Sequence, residues 1–192
     1  MQIDLSGKTV RIEGAIHPVS VALRERLTSS GALVVDDGTP DVLVLSAPLL
    51  ETNAFDWDAL VATAQAIGAS MKARGSGRVV FLLSASAALP VRRQPDLSAR
   101  MAALGATMRT MAMSLGPEVA VNALGAGAIG TGPDDLCSGD RAMIGHASVG
   151  RAGSVEEACN VALFLCDPEN GYLTGQLLSA DGGWSAGYGR NF

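Results

Sequence analysis

Few side chains in this sequence could move a proton, attack a carbonyl or hold a metal. His17 and His146 are the only imidazoles, and neither has an acidic or cysteine partner at metal-ligand spacing. Cys137, Cys159 and Cys166 are odd in number and make no Cys-x-x-Cys pair, so neither a disulfide framework nor a zinc site is indicated. Cys159 and Cys166 stand seven apart in a helical stretch, on one face, and read as small core hydrophobes. Ser84 closes an apolar run; without a base or oxyanion partner it reads as a polar strand terminus. Asp36-Asp37-Gly38 has the composition of a turn. Arg92-Arg93, flanked by prolines, reads as a solvated loop with a possible second use in meeting a phosphate.

These residues must be positioned by alternating elements. Thr9 to Ile12, Ala32 to Val35, Asp41 to Leu45, Arg78 to Leu83, Val119 to Ala123 and Gln176 to Ser179 read as strands. Val19 to Ser29, Asp56 to Ala73, Leu97 to Leu115 and Val155 to Leu165 read as helices. Near-continuous apolar strands alternating with helices predict an α/β fold, a parallel sheet covered on both faces. Gly125 to Gly150 is rich in Gly, Asp and Ser, too polar for core, and is expected to be a mobile flap beside the carboxyl edge of the sheet.

At 192 residues the chain has the size of one domain, 1–192, with no repeat or linker. Lys and Arg number 14 against 19 Asp and Glu, a net charge of −5, so no basic excess is available for nucleic acid. No apolar run approaches the roughly 20 residues of a membrane span. The start, from Met1 to Leu5, lacks the features of a signal peptide, and the expected compartment is the cytoplasm. Aromatics are only 4% and glycines 23, which favours closely packed Ala/Val/Leu/Gly layers over an aromatic-lined binding module.

Several ordered motifs resemble the short-chain dehydrogenase/reductase (SDR) family. Gly150-Arg151-Ala152-Gly153-Ser154-Val155-Glu156-Glu157-Ala158 is similar to its GRxGxPEEVA. Phe164-Leu165 followed by Tyr172-Leu173-Thr174-Gly175-Gln176, and then Asp181-Gly182-Gly183, resemble its FL…YxTGQ and DGG. Gly77 to Ser84 is similar to GRIVNISS, and Val121 to Gly127 to VNAVAPG. The resemblance implies a Rossmann-like doubly wound parallel sheet. It also implies a shortened core lacking part of the adenine-side βα unit, because only four residues separate Asp36 from the strand at Asp41.

The functional positions depart from the family pattern. Its cofactor turn, TGxxxGxG, aligns with Glu13-Gly14-Ala15-Ile16-His17-Pro18-Val19-Ser20. Gly14 remains, but Pro18 and Ser20 replace the other glycines, and Glu13 brings a negative charge toward the phosphate position. Counting 13 residues from Ser84, the family serine position, puts Leu97 at the tyrosine and Met101 at the lysine. Neither replacement can exchange a proton at neutral pH. Arg100 is one position out of register, about 100° around the helix. The family's helix asparagine has no counterpart within 54–76.

The expectation is therefore a non-catalytic SDR-like subunit, with vestigial Ser84 and no cofactor. It would assemble with a catalytically intact SDR paralogue, a ketoreductase or hydroxyacyl dehydrogenase, or with itself. By the resemblance, the last helix and strand build a dimer face. Candidate interface residues are Val155, Ala158, Cys159, Ala162, Phe164 and Leu177, with Trp184 and Tyr188 from an aromatic tail. The helix from Leu97 to Leu115 would serve a second interface. The alternatives are a small-ligand-binding scaffold, or an NAD(P)-dependent enzyme with a remodelled site drawn from Ser84, Thr131, Asp134, Asp135, Cys137 and His146.

Overall fold

A computed structural model of the chain describes residues 3–50, 52–130 and 138–187. Six strands form one parallel sheet: β1 (Thr9–Gly14), β2 (Leu33–Val34), β3 (Val42–Ser46), β4 (Gly77–Ser84), β5 (Val119–Ala126) and β6 (Leu177–Ala180). Their order across the sheet is β2-β1-β3-β4-β5-β6. Helices α1 (Pro18–Ser29), α2 (Trp57–Arg74), α3 (Pro95–Leu115), α4 (Ser138–His146) and α5 (Val155–Cys166) complete the fold.

The strands bury both faces, as their unbroken apolar runs predict. Leu43, Leu45, Val79, Phe81 and Leu83 pack under α2 and α3, joining Leu60, Met71, Leu104 and Met108. The alternate positions Val42, Val44, Val80 and Leu82 pack under α1 and α5, joining Leu23, Leu27, Ala158 and Ala162. This period-2 division produces the two-sided winding. The chain leaves β1 in one direction to reach β2 and crosses back to place β3 on β1's other side. A doubly wound sheet opens its ligand crevice at that reversal, beyond the strands' carboxyl ends. Among the described residues no strand lies beyond β2, which is reduced to two residues at the edge with Leu33 exposed. The adenine-side unit is shortened accordingly.

Residues of the family-like motifs hold elements together. Arg78 sits buried at the start of β4 and its guanidinium donates to the carbonyls of Leu165, Pro168 and Asn170. It thereby serves carbonyls around the end of α5, a helix terminus that favours a cation. Asn122 is buried in β5; its Nδ2 donates to the Leu173 carbonyl at 2.8 Å and its Oδ1 accepts from Gln176 N at 3.0 Å.

The segment expected to be a polar flap is different. Gly125 and Ala126 belong to β5, and α4 occupies Ser138–His146. Met143 and Ala147, four apart, are buried with Ala85, Ala128 and Trp184 in a small third core. Their one-turn spacing supplies an apolar face that mean polarity conceals. Thr131, Asp134, Asp135, Cys137 and Tyr188 lie outside the described residues. Among the described residues, no helix is long and apolar enough to cross a membrane.

Candidate functional site

The crevice at the reversal between β1 and β3 is a cavity of about 610 Å³. Its walls come from the segments after β1 (Ile16, His17, Pro18), β3 (Pro48, Leu49, Phe55) and β5 (Gly127, Ile129), with Asp140 from α4. Gly14 makes the crossing possible. A Cβ there would lie 2.2 Å from the Ser46 carbonyl oxygen, and its φ of +104° suits glycine. Ala15 N then donates to the same carbonyl at 2.7 Å.

His17, in the sequence only a member of the altered turn, organises the mouth of the cleft. It is the N-cap of α1: Ser20 N donates to Nδ1 at 3.2 Å, and His17 N donates to Ser20 Oγ at 3.0 Å. Its Nε2 lies 2.8 Å from Ser46 Oγ, whose own hydrogen goes to the Ala15 carbonyl at 2.7 Å. That network assigns the neutral tautomer with hydrogen on Nε2. Burial pushes the imidazole pKa down from 6.5 to about 4. The sequence carried a signal for this arrangement: a polar residue, then Pro at the first helical position, then Ser at the third.

Glu13 does not face the cleft as a bare charge. Its carboxylate takes the Arg11 Nε at 2.5 Å, two residues along the same strand face. Asp36 and Asp37 lie in an exposed bend after β2, as the turn reading expects.

At the far end of β4, Ser84 is buried and its Oγ accepts from Ser86 N at 3.2 Å and Ser86 Oγ at 3.1 Å, capping a short 3-10 turn at Ala85–Ala87. Leu97 and Met101 are fully buried on α3. The Met101 thioether fills the space beneath the serine, with Sδ 3.4 Å from Ser84 N. Arg100 turns outward, its guanidinium 5.3 Å from the centroid of the Trp57 ring. Trp57, Asn53 and Asp96 border a polar hollow of about 350 Å³ beside Leu97, which no sequence motif marked.

The expected interface residues divide by burial. Val155, Ala158, Cys159 and Ala162 are buried within the chain; α5 packs on α1, with Cys159 Sγ 3.5 Å from the Val19 carbonyl oxygen. Burial pushes the Cys159 thiol up to about 11 and Cys166 to about 12, as inert core sulfurs. Trp184 is buried against α4, not extended across a surface. Phe164 and Leu177 remain half-buried, and Tyr172 is fully exposed.

A family model described as enoyl-(acyl carrier protein) reductase matches residues 43–185. The short-chain reductase protein NovJ of Streptomyces niveus is 32% identical, over 85% of this chain and 71% of its own. The chain belongs to the SDR family. A further relative, the (2S)-[(R)-hydroxy(phenyl)methyl]succinyl-CoA dehydrogenase subunit BbsD of Thauera aromatica, is 29% identical over 77% of this SDR chain and 66% of its own. Among solved structures, a gluconate 5-dehydrogenase from Burkholderia cenocepacia in complex with NADP and tartrate superposes with a TM-score of 0.80, at 21% identity. It covers 97% of this chain and 98% of that one. A short-chain dehydrogenase from Leptospira borgpetersenii with bound NAD+ gives 0.78 at 18% identity, covering 95% and 94%.

These likenesses correct the expectation of no cofactor: two proteins of the same fold carry NADP and NAD+. That expectation weighed the altered turn too heavily. The repulsion assigned to Glu13 is offset by Arg11, and the crevice stands open at the place where the fold puts its ligand. The residues present fit the flat rings of a dinucleotide better than its phosphates. The walls are mostly apolar, while Pro18 has no N–H and the Ser20 N–H is already taken by His17.

Proposed function

We propose that this SDR chain is a nucleotide-holding subunit that lacks the family's proton-transfer pair and works in assembly with a catalytically intact SDR, a ketoreductase or hydroxyacyl dehydrogenase. The observation that carries this reading is Leu97 and Met101: buried hydrocarbon and thioether stand where the family resemblance calls for a phenol and an ammonium. A bound dinucleotide would supply a hydride carrier, and Ile16, Leu49 and Ile129 would hold its rings. The chain's own residues exclude water there and keep a neutral His17 at the mouth. The Ser84 hydroxyl is occupied as a cap, and no side chain at 97 or 101 moves the accompanying proton.

Two surfaces support assembly. Ala59, Ala62 and Ala66 on α2 and Ala99, Ala103 and Ala106 on α3 are exposed, and Met113 on α3 is 76% exposed. Small side chains on neighbouring helices allow a second helix pair to approach closely, and contiguous exposed apolar area favours a partner. The β6 edge, with Leu177 and the nearby Phe164 and Tyr172, supplies the other contact. The Thauera aromatica relative is named as a dehydrogenase subunit, a precedent for an SDR chain in a larger enzyme.

The test is to purify the chain alone and together with an intact SDR from the same source. NADH and NADPH binding is read by fluorescence, subunit mass by light scattering, and hydride transfer by absorbance. The expected result is nucleotide binding without turnover by the isolated chain, and a mixed assembly with the intact SDR. Turnover by the isolated chain would overturn the reading in favour of a remodelled active site; a homo-oligomer that ignores the SDR would leave self-assembly in its place.

A further inference from the structure

A second cavity, of about 320 Å³, lies on the other side of α4 and, among the described residues, shares no lining residue with the crevice. Its apolar part is Trp184 and Met143, both buried, with Pro90 and Val91 beside them. Its polar part, among the described residues, is Arg92, Arg93 and the His146 imidazole. Arg92 and Arg93 are exposed and make no hydrogen bond or ion pair among the described residues.

The site is built from three separate parts of the chain. The arginine loop is fastened by Val91 N donating to Ser98 Oγ at 2.9 Å, and by Gln94 N donating to the Val91 carbonyl at 3.0 Å. The tryptophan sits in a turn that Asp181 closes, its carboxylate accepting from Gly183 N at 2.9 Å and Ser185 N at 3.0 Å. Val149 N, just past α4, donates to the Gly182 carbonyl at 3.0 Å and fixes that turn to the helix. Two neighbouring arginines bring two positive charges to one cavity. Such an arrangement suits an anion. The volume is at the small end of ligand cavities, roughly 300–1,000 Å³.

The geometry points to a binding site for a small organic anion, its carboxylate or phosphate on Arg92 and Arg93 and its flat apolar body against Trp184 and Met143. Guanidinium forks match either head group, and the indole face accepts a ring. The site stands apart from the nucleotide reading, since among the described residues it draws on none that line the crevice.

Titration calorimetry with benzoate, phenyl phosphate and neutral benzyl alcohol tests it on the full chain, alongside R92Q/R93Q and Trp184→Leu. Saturable binding of either anion but not of benzyl alcohol is expected, and the stronger of the two names the head group. The paired arginine substitution is expected to weaken that binding about tenfold or more, the loss of charge-assisted hydrogen bonds. Trp184→Leu should weaken the ring-bearing anions while leaving inorganic phosphate unchanged. NADH binding should be unaffected by R92Q/R93Q, so failure here and failure of the nucleotide reading are separate results. Absence of binding by both anions, equal binding of benzyl alcohol, or indifference to R92Q/R93Q would each overturn the proposal.

Discussion

Single residues decide the chemistry of this chain. Motif spacing puts Met101 at the family's lysine position only by resemblance, and it says nothing of how the side chain packs. The thioether is packed fully into the α3 core and against Ser84 N. Met101→Ala should therefore lower stability by about 2–5 kcal/mol, as buried large-to-small changes do, seen as a reduced denaturant midpoint. His17 offers a pH test. A base whose pKa falls on folding makes the unfolded state the better proton binder, so stability is full above about 6.5 and declines as pH falls toward about 4. Denaturation midpoints across that window should show the decline, and His17→Asn, which keeps an N-cap oxygen without a titrating ring, should flatten it.

Elements explain what some of the family-like motifs do. The Gly150 to Ala158 motif starts α5 with a capping box: Ser154 Oγ accepts Glu157 N at 3.2 Å, and the Glu157 carboxylate accepts Ser154 N at 2.9 Å. Arg151 grips both carboxylate oxygens and, with Ser154 N, holds the Glu157 pKa down at about 2. Ser154→Ala is expected to cost about 1 kcal/mol by thermal or chemical unfolding, with nucleotide affinity unchanged. The four main helices were legible because their apolar positions repeat with the helical period. Helix α4 was missed because its face rests on little more than Met143 and the following Ala147, inside a Gly- and Ser-rich stretch. Edge strand β2 came out shorter than expected, since only one neighbour pairs with it.

For the whole molecule, the shortened sheet keeps its ligand crevice, with no strand beyond β2 among the described residues. If that crevice holds a dinucleotide, saturating NADH or NADPH should stabilise the fold. At a hundredfold excess over Kd the linkage is about 2.7 kcal/mol, which in a domain of this size raises Tm by roughly 5–10 °C. Differential scanning fluorimetry with and without cofactor checks it, using adenosine as a control for binding by the adenine half alone.

The sequence by itself determined the doubly wound class and the order of the strands and four main helices. Those properties are local: strand and helix periods, and motifs whose spacing survives along the chain. Only the tertiary structure decided that Glu13 is paired by Arg11, that His17 is locked to Ser46 across 29 positions, and that much of α5's apolar face is spent on α1. It alone brought Arg92, Arg93 and Trp184 to one cavity. Parallel crossovers carry the ends of distant strands to one edge of the sheet, and no pattern confined to neighbouring residues records which side chains meet there.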